Sequence, residues 1–123
     1  MKTILIADDD KNLTLLYKQE LSEDGYQVDI VHDARSAIER VSQTPPDLLV
    51  LDIQMPGMDG IEALSHIIGQ NNRVPVILNT AYSTYKDNFM TWSADAYVVK
   101  SSDLAELKTT IRNILSRKKQ DGS

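Results

Sequence analysis

At 123 residues, 41% hydrophobic and 25% charged, the chain fits one domain with an ordinary hydrophobic core. Its formal net charge of −5 disfavours nonspecific nucleic-acid binding, and no apolar run approaches the ~20 residues that span a bilayer. The absence of cysteine excludes disulfides and thiolate metal sites; with no secretory leader legible at the N-terminus, the expected location is cytoplasmic.

Taken in chain order, the elements alternate. "TILIA" (3–7) is a short apolar run and reads as a buried strand. Leu13, Leu16, Tyr17 and Leu21 follow at helical spacing, with Gly25 as the stop. "YQVDIV" (26–31) alternates as a second strand. Ala34, Ala37, Ile38 and Val41 mark a second helix, closed by "TPPD". "DLLVLD" (47–52) predicts a strand buried on both faces. "IQMPGMDG" (53–60) is a loop built on Pro56-Gly57, and Ile61, Leu64 and Ile68 mark a third helix. "VPVILN" (74–79) is the fourth strand; residues 83–93 carry a thinner helical pattern with Tyr85, Phe89 and Trp92. "AYVV" (96–99) is the fifth strand. Leu104, Leu107, Ile111, Ile114 and Leu115 predict a final helix, with Asp103 and Glu106 as a capping box. Arg117, Lys118 and Lys119 close it, where positive charge suits the helix dipole. Five strands alternating with five helices predict an α/β, doubly wound parallel sheet covered on both faces. Residues 1–118 form the domain and 119–123 a flexible tail.

In open parallel sheets, ligands bind outside the carboxyl ends of the strands. Strand one ends in Asp8, Asp9 and Asp10, strand three in Asp52, strand four in Thr80 and strand five in Lys100. Strand two offers only His32 and Asp33. Adjacent carboxylates repel by roughly 4 kcal/mol per pair at about 4 Å and an effective dielectric of 20. A hard cation such as Mg²⁺ offsets that repulsion and bridges to phosphate. A hydroxyl and an ammonium beside it suit phosphoryl oxygens, and an aspartate there can itself be the nucleophile. Taken singly, each residue has a plainer reading. Asp10 caps a helix, Tyr97 packs in a strand, and His32 and His66 sit on surfaces or helices; Met55 and Met58 pack. Tyr82, Tyr85, Phe89 and Trp92 are either a partner surface or the core face of a short helix.

"ADDD", "LDIQMPGMDG", "NTAYS" and "AYVVK" together resemble the receiver domain of two-component response regulators, from Met1 to about Ser116. The resemblance implies the flavodoxin-like strand order 2-1-3-4-5. It implies Asp52 as phosphoacceptor, and Mg²⁺ held by Asp8, Asp9, Asp52 and the carbonyl of Gln54. Within that set it makes Asp9 a direct ligand and lets Asp8 act mainly through water. Thr80 and Lys100 would meet the phosphoryl group, and Tyr97 would turn inward as Thr80 moves. The donor would be a sensor histidine kinase or a histidine phosphotransfer protein. A downstream protein partner and a phosphorylation-dependent homodimer are compatible with it; direct nucleic-acid and membrane contacts are not expected. The protein would not be an enzyme beyond its own phosphorylation and dephosphorylation. Two other readings are a pseudo-receiver that binds without chemistry and a Mg²⁺-dependent phosphohydrolase with an aspartyl nucleophile. Gln54, where such hydrolases favour a second acid, and the lack of room for a cap domain speak against the hydrolase.

The chain departs from the family pattern in two places. Ser101 follows Lys100 where Pro is common, so the 100–101 bond is expected to be trans, since a cis bond before a non-proline residue costs roughly 2.5–4 kcal/mol. Lys100 is then expected farther from Asp52. The Thr80–Lys100 stretch is slightly short, which predicts a short or mobile 83–93 helix. Tyr82 and Gln54 occupy positions that tune phosphate lifetime in the family, and a bulky Tyr82 is expected to shield the acyl phosphate.

Overall fold

The computed structural model describes residues 1–70, 73–81 and 93–121, without the side chains of 118–121. Tyr82 and residues 83–92 of the predicted 83–93 helix, Tyr85, Phe89 and Trp92 among them, lie outside the described residues. The elements are β1 (Thr3–Ala7), α1 (Lys11–Glu23), β2 (Gln27–Val31), α2 (Ala34–Gln43), β3 (Leu48–Leu51), α3 (Gly60–Gln70), β4 (Val76–Thr80), β5 (Ala96–Val99) and α4 (Ala105–Asp121). All strand pairs are parallel and the order is β2-β1-β3-β4-β5, as expected.

Each face of the sheet has its own core. Leu5, Ala7, Leu49, Leu51, Val76 and Leu78 pack under α2 and α3, with Ala37, Val41, Leu64 and Ile67. Ile4, Ile6, Leu48, Val50, Ile77 and Val98 pack under α1 and α4, with Tyr17, Leu21, Leu107 and Ile111. Adjacent strand residues go to opposite faces, so a strand buried on both sides reads as an unbroken apolar run. Met55 is buried and Met58 packs against the first core, as read from the sequence.

Several local readings shift. Tyr26 is not in β2: its N–H donates to Leu21 O, and Gly25 takes a left-handed φ of 95° to close α1. β4 starts at Val76 rather than Val74, because Pro75 has no N–H to give; its carbonyl accepts from Leu49 instead. Leu16 does not face the core and is 43% exposed. Thr14 takes the inward position, its hydroxyl satisfied by Lys11 O at 3.0 Å. On α3 the buried stripe is Ala63, Leu64 and Ile67, with Ile61 and Ile68 at its margin.

The start of α4 differs too. Asp103 accepts from the Ala105 N–H at 2.9 Å, while its own N–H goes to Ser101 Oγ at 3.1 Å. Ser101 thus fills the role that the capping box assigned to Glu106.

Candidate functional site

β1 and β3 lie side by side at the centre of the sheet, so their carboxyl ends deliver Asp8 and Asp52 to adjacent points. Asp52 N–H donates to Ala7 O at 2.9 Å, and Asp8 N–H to Val31 O at 3.1 Å, which pins both residues to the ladder. Asp8 and Asp52 are buried, at 2% and 5% exposure; Asp9 is exposed. One carboxylate oxygen from each of Asp8, Asp9 and Asp52 lies within 4.8 Å of the others. Three hard oxygen donors at that spacing fit a divalent cation of the Mg²⁺ type.

The acids are not held by a cation site alone. Lys100 Nζ lies 2.7 Å from Asp8 Oδ2 and 3.2 Å from Asp52 Oδ2. Its backbone N–H donates to Thr80 O at 2.7 Å, which fixes the end of β5 to the end of β4. The described residues contain no cis peptide bond, so the 100–101 bond is trans as expected. The expected retreat of Lys100 from Asp52 does not occur. The four-carbon stem reaches the carboxylates from a trans backbone.

Asp8 is doubly engaged, since its Oδ1 also accepts the Asp10 N–H at 2.9 Å. Asp10 in turn caps α1, accepting from Leu13 N at 3.0 Å, as its place between strand and helix predicts. His32 is exposed, as is His66, and its Nδ1–H donates to the Asp8 carbonyl at 3.0 Å.

Burial pushes the Asp52 carboxyl above its usual range, and the nearby Asp8 charge adds to the push while Lys100 opposes it. For Lys100, burial works against the charge, but the hydrogen bond it donates to Asp8 and the pull of both carboxylates outweigh it and raise the ammonium. The two directions agree with the geometry. Lys100 sits closer to Asp8, so Asp52 keeps less of its benefit.

A cleft of about 270 Å³ opens over this cluster, lined by Asp8, Asp9, Asp10, Asp52, Gln54, Thr80, Ala81 and Lys100. Gln54 N–H approaches Asp52 Oδ1 at 3.4 Å. Thr80 is fully buried. Tyr97 is not in the cleft; it is half-buried against the α2/α3 core, beside Leu78 in the β4–β5 register. Every other predicted site residue is brought to this one edge.

Two residues escaped the sequence reading. Gly60 opens α3 with its N–H on Ile53 O at 2.7 Å, and a Cβ there would overlap the Asp52 carbonyl oxygen. The "DG" that ends the loop was the available signal. Asn79 is an amide inside a strand that is otherwise apolar up to Thr80, and it bonds the Tyr17 hydroxyl. Polar residues in an apolar run were the clue.

The family model described as "Response regulator receiver domain" matches residues 4–112. The response regulator ArlR of Staphylococcus saprophyticus is 36% identical over 122 residues, covering 98% of this chain and 55% of that protein. The transcriptional regulatory protein TrcR of Mycobacterium tuberculosis is 35% identical over 116 residues, covering 93% and 45%. The chain thus spans about half the length of these curated relatives. Among solved structures, response regulator TrrA from Thermotoga maritima in complex with Mg(2+)-BeF is 40% identical with a TM-score of 0.89, covering 92% of this chain and 98% of that one. TrrA in complex with histidine kinase ThkA superposes with a TM-score of 0.88 at 40% identity, covering 94% and 99%. A CheY-like receiver domain from Methanospirillum hungatei has a TM-score of 0.92 at 28% identity, covering 98% of each chain.

Proposed function

Since this chain belongs to the response regulator receiver domain family, we propose that Asp52 is its phosphoacceptor. The donor is a phosphohistidine on a sensor histidine kinase or a histidine phosphotransfer protein. In the transfer, an Asp52 carboxylate oxygen forms a bond to phosphorus as the histidine nitrogen–phosphorus bond breaks, and the electron pair leaves with the imidazole. Asp8, Asp9, Asp52 and the carbonyl of Gln54 would hold Mg²⁺, which supplies charge neutralisation for the phosphoryl oxygens.

The remaining steps belong to the chain's own side chains. Lys100 keeps Asp52 oriented before transfer and remains as the cation facing the new phosphoryl group. Asp8 acts at one remove, because its two oxygens already hold Lys100 and the Asp10 N–H. A phosphoryl group adds roughly −1.5 to −2 charge where one carboxylate stood. That charge draws the Thr80 hydroxyl toward it and vacates space beside β4 for the Tyr97 ring. The result is a two-state shift in the surface around β5, as far as phosphorylation favours one state over the other.

The carrying observation is the convergence of Asp52, Asp8, Thr80 and Lys100 on one cleft from four separate strand ends. The complexes of TrrA with Mg(2+)-BeF and with a histidine kinase support the metal and the donor. The chain is read as a signalling acceptor that catalyses only its own phosphorylation and dephosphorylation, located in the cytoplasm. Its output passes to a protein partner or a second copy rather than through direct nucleic-acid contact.

The test is intact mass after incubation with Mg²⁺ and acetyl phosphate, beside Asp52→Asn. A gain of one phosphoryl group in the parent and none in the variant is expected. An equal gain in both would place the acceptor elsewhere.

A further inference from the structure

We propose that the buried hydrogen bond between Tyr17 on α1 and Asn79 on β4 is a positioning pair for phosphoryl transfer. It fastens the acidic β1–α1 turn to the strand ends that carry Thr80 and Lys100. This rests on the reading of Asp52 as acceptor.

Asn79 and Tyr17 are 2% and 1% exposed, and Asn79 Nδ2 donates to the Tyr17 hydroxyl at 2.9 Å. Around them the α1/α4 core is aliphatic: Ile4, Ile6, Val50, Ile77 and Val98. Hydrophobic residues at both positions would satisfy packing, whereas a buried amide and phenol must find each other or stay unsatisfied at a cost to folding. A bond that adds little net stability still fixes direction and distance, and its place in the chain decides what it fixes.

On the α1 side, Tyr17 is two helical turns beyond the Asp10 N-cap, on the buried face with Thr14 and Leu21. Asp10 caps that helix and donates its N–H to Asp8, so the acids and α1 move as one piece. On the β4 side, Asn79 precedes Thr80, whose carbonyl holds the backbone of Lys100. The Tyr17 phenol lies near enough to the site to feel the charges of Lys100, Asp8 and Asp52. The pair therefore spans the two halves that must converge on one phosphoryl group. The acids come from β1, and the hydroxyl and ammonium come from β4 and β5.

The experiment compares the parent with Tyr17→Phe, Asn79→Leu and the double variant. Phosphorylation rate with acetyl phosphate and Mg²⁺ is read by intact mass, and stability by thermal melting without Mg²⁺. Each single variant leaves one polar group unpartnered, so both melt lower. The double variant removes both polar groups and regains most of the melting temperature. A packing role alone would restore the rate along with stability. Positioning predicts that the double variant stays about tenfold slow, within the ~100-fold that a 1 Å misplacement costs.

A double variant that phosphorylates at the parental rate would overturn the inference. Should a single variant fail to fold, the double variant answers the same question. A parent that gains no phosphoryl group defeats the Asp52 reading and this inference with it. A parent that is phosphorylated on Asp52, beside variants at the parental rate, defeats this inference alone.

Discussion

Two strand-to-helix junctions feed the cleft, and they are built on different principles. The β1–α1 junction (Asp8 to Asp10) is a tight turn in which the Asp8 and Asp10 carboxylates are both engaged. Asp8 holds the Asp10 N–H and Lys100, and Asp10 holds the first turn of α1. The β5–α4 junction (Lys100 to Leu104) is polar and exposed from Ser101 to Asp103. Beyond Lys100 it is tied over short range, with the Asp103 N–H donating to Ser101 Oγ and the Ala105 N–H to Asp103 Oδ1. Yet Lys100 is placed as firmly as the acids. It is held at both ends, by Thr80 O on its backbone and by two carboxylates on its Nζ. The comparison teaches that an acidic site can fix its cation electrostatically, without a rigid loop behind it.

The strongest way to break that comparison is to remove the cation. Lys100→Met leaves Asp8 and Asp52 buried without it. Breaking a buried ion pair costs about 3–5 kcal/mol, and the partial exposure of this ammonium brings the expected loss to about 2 kcal/mol at pH 7. Urea unfolding without metal measures it. Added Mg²⁺ should recover most of the loss by binding only the folded state. A loss that Mg²⁺ does not touch would mean that the stem of Lys100, and not its charge, was responsible.

Asp52→Asn works in the opposite direction. The folded carboxyl titrates above its unfolded value because burial penalises its charge. Such a group contributes fully below the unfolded pKa and loses that contribution as pH rises through the folded one. The variant should therefore match the parent below pH ~3.8 and exceed it in stability at neutral pH without metal. Equal stability at both pH values would show that Lys100 compensates Asp52 fully. Asp10→Ala then tests the other junction through its cap alone. A loss of about 1 kcal/mol is expected. Because Asp10 also presents the N–H that Asp8 accepts, a backbone group the variant keeps, Mg²⁺ affinity by calorimetry should change less than stability does.

Most of the cleft was legible in advance because its chemistry is carried by residue type at strand ends. Apolar runs located β1 and β5 to the residue, and the first polar residue after each of β1, β3 and β5 faced the cleft. What was illegible depended on neighbours in space. Leu16 and Thr14 cannot be ranked for burial by periodicity, since the Thr hydroxyl can satisfy itself on Lys11 O. Gly60 looked like turn material until the Asp52 carbonyl stood where its side chain would be. Asn79 drew no separate reading within the "VPVILN" strand, because its partner, Tyr17, is 62 residues away in sequence. Lys100 was expected to fall short of Asp52 on local backbone grounds, and long-range charge overrode them.

The smallest effect is the one that bears most directly on the two junctions. Ser101 gives α4 one exposed hydrogen bond, to the N–H of Asp103. Surface changes of this kind stay within about 0.5 kcal/mol. Ser101→Ala should thus lower stability by a few tenths of that scale and leave the acetyl phosphate rate unchanged, since the loop does not aim the lysine. Asp103 stays in place to accept the Ala105 N–H. A rate that falls while stability holds would show that the loop sets the reach of Lys100 after all, and that its salt bridges follow the backbone instead of fixing it.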